Sequence, residues 1–188
     1  MAIKPRTAEQ STMPQLSSEP LTLSQLNMFA DEILAFFQQS RPEFLALAQL
    51  QRNSGCRINE LFQRERWTIL TDSILKVEPQ KGNASRIIPV SDLGFVSVSA
   101  MASLFLDMTR LPKTQYERCF SRAVDSVGLW RHYEFGFTGP SSHFFRHLKV
   151  KNMAAQNFSV EQIGTYIGEK NLDNLNYYFN SQFYSEIR

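Results

Sequence analysis

Only 2 of the 188 residues are cysteine, at positions 56 and 119. That excludes a disulfide framework and a four-cysteine metal site. No run of about 18 apolar residues occurs, so no membrane-spanning helix is expected. The opening MAIKPRTAEQSTMPQLSSEP has no apolar core and is not a secretory signal. These absences make a cytoplasmic location the default expectation. Charge of one sign is also scarce, with a net of +2. What is present is enough apolar material for a core: 43% hydrophobic residues, which excludes a disordered chain. The length fits one domain with a tail.

The charge is unevenly spread. Residues 1–51 carry a net −2, residues 52–151 a net +6 and residues 152–188 a net −2. The middle stretch is a candidate face for an anionic ligand, set against the blander reading of an ordinary solvated surface.

Residues 1–20, rich in Ser, Thr, Pro and Gln, read as a flexible arm, leaving 21–188 as the domain. Thr22 and Gln25 have capping-box spacing. Leu26, Phe29, Ala30, Ile33, Leu34 and Phe37 then follow at helical spacing, predicting a helix to about Gln39. Pro42 suits the first turn of a second helix, which Ser54-Gly55 breaks. A short helix is predicted over Arg57–Gln63. Strands are predicted over Trp67–Leu70, Ser73–Val77 and Arg86–Val90, with an exposed turn at Gln80-Lys81-Gly82-Asn83. Further helices are expected over Val96–Thr109, Thr114–Val127, Ser142–Ala155, Val160–Ile167 and Asp173–Tyr184. Ser159 and Gln162 form a second capping box, and Gly168 closes that helix. The class is mostly α with a small antiparallel β-sheet.

Five places carry chemistry. They are Arg57 after the Gly55 turn, Lys81 in the hairpin, His143 with Arg146 and His147, the Gly168-Glu169 pair, and Tyr177-Tyr178. Each alone has an ordinary reading: a surface arginine, a solvated turn lysine, core histidines, packed tyrosines. In order and spacing they form a pattern. Gly55-Cys-Arg57-Ile-Asn-Glu60-Leu61, Lys81-Gly82 through Arg86 to Pro89, His143-Phe-Phe-Arg146-His147 and a tyrosine nine residues after Glu169 are all in place. The chain therefore resembles the catalytic domain of the tyrosine recombinase (phage integrase) family, over about residues 21–184.

The resemblance implies site-specific DNA strand cleavage and rejoining through a 3′-phosphotyrosine, as in integration, excision or inversion, with no metal and no cofactor. It implies Tyr178 as nucleophile and Arg57 and Arg146 on the nonbridging oxygens. Lys81 is the donor to the 5′ leaving oxygen, and His143 either takes the phenol proton or holds the phosphate. It implies double-stranded DNA as partner, self-association on DNA as a dimer or tetramer, and accessory DNA-bending proteins. The chain departs from the family in two ways. Glu169 stands where the family usually has His, and the 20 residues before the domain have no counterpart to an N-terminal DNA-clamping domain. Glu169 works if protonated or if paired with Arg57 or Arg146. Otherwise it marks an impaired recombinase that binds DNA as a regulator or accessory factor. A helical interaction module without a DNA role is the third class, disfavoured by the joint presence of Arg57, Lys81, His143, Arg146 and Tyr178.

Overall fold

The computed structural model describes residues 21–79, 83–129, 143–173 and 175. The expected N-terminal arm, Lys81, Tyr177, Tyr178 and nearly all of the expected last helix lie outside these residues.

The first helix, α1 (Leu23–Ser40), starts where its capping box requires. The Thr22 amide donates to Gln25 Oε1 at 2.8 Å, and the Gln25 amide donates to Thr22 Oγ1 at 3.2 Å. Its buried stripe is Leu26, Phe29, Ala30, Ile33 and Phe37. Pro42 opens a 3-10 turn before α2 (Leu45–Ser54), and α3 (Ile58–Leu61) follows the Gly55 turn.

Strands β1 (Trp67–Thr71), β2 (Ile74–Val77) and β3 (Arg86–Pro89) form an antiparallel sheet in the order β1-β2-β3. Trp67 pairs with Val77, and Val77 with Arg86, so these three share one inward-facing row. Leu75 and Ile88 make the next row. Pro89 lies opposite Ile74 in a pair that exchanges no ladder hydrogen bonds, so its missing amide costs the sheet nothing. The Val90 amide makes the last bond to β2's side, to the Ser73 carbonyl at 2.9 Å, before the chain enters a 3-10 turn.

The helices α4 (Ala102–Arg110), α5 (Lys113–Val127), α6 (Phe144–Ala155) and α7 (Val160–Ile167) complete the described elements. α4 begins later than its apolar spacing predicts. The Val98 amide is taken by the Asp72 carbonyl in the β1–β2 turn, and the Ser97 hydroxyl accepts the Ala100 amide. Those contacts hold Val96–Val98 outside the helix.

The core lies where α1, α2, α5, α6 and the inner face of the sheet meet. Aromatic rings dominate it. Phe37 stacks on Tyr116 at 5.4 Å between centroids, and Phe120 meets Phe145 edge-on at 5.2 Å. The Tyr116 hydroxyl is buried and donates to Gln51 Oε1 at 2.7 Å, which satisfies both polar groups. α6 runs through the middle, so its buried residues surround it: Phe144, Phe145, Arg146, Leu148, Val150, Lys151, Met153 and Ala154.

Two helix ends set up the site. α2 and α7 both finish in a left-handed glycine, Gly55 at φ +62° and Gly168 at φ +71°. At Gly168 a Cβ would also sit 2.8 Å from the Ala84 carbonyl oxygen. Alanine there faces both the left-handed penalty of about 1–2 kcal/mol and a backbone clash. Gly168→Ala is thus expected to lower unfolding free energy by at least about 1–2 kcal/mol in urea titrations. A variant as stable as the parent would contradict this packing.

Candidate active site

The Gly55 turn carries Arg57 and is braced from below. The Ser54 hydroxyl donates to the Leu50 carbonyl at 2.7 Å and accepts the Cys56 amide at 3.1 Å. Gln51 Nε2 reaches the Cys56 carbonyl at 3.4 Å. The core pair Tyr116–Gln51 therefore supports the backbone immediately before Arg57. Cys56 is buried, and burial pushes its thiol up to about 11, so it stays a neutral thiol at physiological pH.

Three guanidinium groups and two carboxylates converge here, brought from five separate elements. Glu60, in α3, accepts the Arg57 amide at 2.9 Å on Oε2 and Arg57 Nη1 at 3.3 Å on Oε1. Arg86, from the inner row of the sheet, donates Nη2 to Glu60 Oε2 at 2.9 Å and Nη1 to the Ser54 carbonyl at 3.1 Å. Trp67, in the same row, donates Nε1 to the Glu60 carbonyl at 2.8 Å. Arg146, in the first turn of α6, donates Nη1 to the Gly55 carbonyl at 2.9 Å and to the Ile167 carbonyl at 3.0 Å. Ser54, Gly55 and Ile167 lie at the carboxyl ends of α2 and α7, where carbonyls lack helical donors and carry partial negative charge. The two most buried guanidinium groups are held by those ends.

Glu169 follows the Gly168 turn and completes the set. Its Oε2 lies 3.0 Å from Arg57 Nη2 and 3.9 Å from Arg146 Nη2. One carboxylate oxygen thus stands between two arginines, where an oxygen anion is favoured. Of the residues selected from sequence, Arg57, Arg146 and Glu169 meet directly. His143 stands at the exposed start of α6. Partial burial, and then the fields of Arg146 and Arg57, hold its imidazole below the usual histidine range. That favours the neutral form, which can accept a proton. Lys81 and Tyr178 are outside the described residues. Arg86 is a site member that motif spacing marked without giving it a role. Its signal was available: a charged residue sharing strand parity with the buried Ile88.

His147 follows Arg146 in α6 and is half-buried. Burial, with the fields of His143, Lys151 and Arg146 adding to it, pushes its imidazole down to about 3. In the unfolded chain the same group takes a proton near pH 6.5. The unfolded state then binds the extra proton, so the stability contribution is full above pH 6.5 and is lost as pH falls. Between pH 6.5 and about 5, above the ordinary carboxylate range, stability is expected to drop by about 1 kcal/mol per pH unit. His143 contributes in the same direction. Urea titrations across that window should show the slope, and His147→Gln should flatten it. A parent profile already flat there would contradict the burial of this ring.

No protein-family model matches the sequence, and no curated protein matches it. Solved structures do. The crystal structure of XerA recombinase shares 18% identity, with a TM-score of 0.58 over 86% of this chain and 59% of that one. The XerH site-specific recombinase bound to its difH substrate before cleavage shares 14% identity, with a TM-score of 0.58 over 88% of this chain and 51% of that one. A lambda integrase dimer bound to a COC′ core site shares 19% identity, with a TM-score of 0.58 over 86% of this chain and 49% of that one. All three are tyrosine recombinases. The chain spans between 49% and 59% of their lengths. At these identities the likeness is one of fold: a mostly helical domain with a small antiparallel sheet, the fold of tyrosine recombinase catalytic domains.

Proposed function

We propose that this chain is the strand-transfer domain of a site-specific DNA recombinase. The observation that carries the reading is the convergence of Arg57 and Arg146 on one carboxylate oxygen, at 3.0 and 3.9 Å. Two fixed cations aimed at one point suit the nonbridging oxygens of a phosphodiester, on which charge builds as phosphorus becomes five-coordinate. Duplex DNA as the partner is supported by the DNA-bound states of the XerH and lambda integrase structures, and self-association by the lambda integrase dimer.

In this reading the Tyr178 phenol oxygen attacks phosphorus. The P–O5′ bond breaks, and DNA is left joined through a 3′-phosphotyrosine. The phenol proton passes to His143, which its environment keeps neutral. The 5′ oxygen leaves as a hydroxyl after taking a proton from Lys81. Reversal with a different 5′ hydroxyl reseals the strand, and the covalent bond conserves the energy of the cut. Arg57 and Arg146 stay charged throughout, because a guanidinium does not release its proton near neutral pH.

Glu169 favours a second reading. Its carboxylate occupies the position between the two arginines, as expected of a recombinase relative that binds DNA without turning over. A nicked suicide duplex separates the readings by trapping a covalent protein–DNA adduct. The native chain is expected to form it slowly. Tyr178→Phe should abolish it with DNA binding retained, whereas Tyr177→Phe should leave the yield unchanged. Glu169→His replaces an anion with a donor and should raise the cleavage rate about tenfold, equivalent to about 1.4 kcal/mol. No adduct from either the native chain or Glu169→His, on DNA that both bind, would favour the second reading.

A further inference from the structure

Arg86 contacts no group assigned to the phosphate, yet it is bonded to Glu60, one of the two carboxylates that hold Arg57. Its side chain is 2% exposed, as is that of Glu60, its ion-pair partner. One arm of its fork takes Glu60 Oε2 at 2.9 Å and the other takes the Ser54 carbonyl at 3.1 Å. Its methylenes pass under the Gly168 turn, where a Cβ on Gly168 would lie 3.4 Å from Arg86 Cδ. A single side chain therefore ties the base of β3 to the end of α2, to α3 and to the turn before Glu169.

Arg57 and Arg146 differ in how they are held. Arg146 is fixed by two backbone carbonyls. Among the described residues, the side chain of Arg57 is held by carboxylates alone, Glu60 at 3.3 Å and Glu169 at 3.0 Å. If a DNA phosphate takes the place of Glu169, Glu60 is the remaining tether. Glu60 is buried, and without Arg86 the counter-charge left to it among the described residues is the partly exposed Arg57, at 3.3 Å; a buried carboxylate so thinly paired takes a proton or turns away toward water. The first change removes the charge that holds Arg57, and the second withdraws the acceptor itself.

We infer that Arg86 is a positioning residue that anchors the Glu60 carboxylate and, through it, fixes the direction of the Arg57 guanidinium. This rests on the reading above for the task of Arg57, but not for its geometry. Both arms of Arg86 are used, on acceptors from two different elements. Lysine would keep the charge and lose the fork.

The test is the order of individual arginine side chains, read as 15N heteronuclear NOEs of their Nε–H groups in the full chain. It is made in a Glu169→Ala background, which leaves Glu60 as the one carboxylate on Arg57. In that background Arg57 and Arg146 are both expected to be ordered. Adding Arg86→Met should reduce the Arg57 NOE to the level of exposed arginines while the Arg146 NOE holds. Glu60→Gln should reproduce the same selective loss, and Arg86→Lys should give an intermediate value. An Arg57 as ordered with Met as with Arg would overturn the inference. So would equal loosening of Arg57 and Arg146, which is what general loss of packing gives. If Arg86→Met does not fold, Arg86→Lys decides, with an unchanged Arg57 overturning the inference. The readout needs neither DNA nor cleavage. Failure to form a covalent adduct would remove the recombinase reading and leave this one standing.

Discussion

Holding guanidinium groups out of water is the constraint on which the rest of this structure depends. Arg86 and Arg146 are almost wholly buried, and a charge in that position needs acceptors on all sides. The fold supplies them from two helix ends. α2 and α7 stop at left-handed glycines, which leaves the Ser54, Gly55 and Ile167 carbonyls facing inward. The same two turns deliver Arg57 and Glu169 within a few residues. Anchoring the buried charges and presenting the exposed one are therefore a single structural task. The aromatic core reaches this task through Tyr116 and Gln51, which support the carbonyl of Cys56.

The resulting cluster is electrostatically unusual because a carboxylate of the same chain stands between its arginines. Glu60 is used up by Arg57 and Arg86, so Glu169 is the carboxylate that faces both Arg57 and Arg146. In the proposed function an incoming phosphate competes with it for the same donors. The geometry is favourable to an anion and is set by the fold itself, which in the proposed function lowers a barrier by electrostatic preorganisation. In the proposed function the same carboxylate weakens binding and opposes charge on phosphorus. How far it would give way to DNA separates the two readings proposed above, a slow enzyme and a binding protein.

Local rules made much of the fold legible. The capping boxes at Thr22 and Ser159, the glycine stops at 55 and 168, and the alternation of Trp67, Leu75, Val77 and Ile88 each rest on neighbours a few residues away. The start of α4 was not legible, because it depends on a hydrogen bond from Val98 to Asp72 in a different element. The site divides in the same way. Spacing picked out Arg57, Arg146 and Glu169. That Glu169 meets Arg57 across 112 residues, and that Arg86 turns inward to Glu60, follows only from the packing of helices against the sheet. Lys81 and Tyr178 rest on sequence resemblance alone.

The central claim is that Glu169 and a DNA phosphate compete for Arg57 and Arg146. The most direct measurement is the equilibrium affinity of Glu169→Gln for a duplex that the native chain binds, at fixed salt and pH. Glutamine keeps the shape and removes the charge. The account expects tighter binding by about tenfold, or about 1.4 kcal/mol. Equal or weaker binding by Glu169→Gln would show that the carboxylate does not stand in the phosphate's place, and would contradict the account.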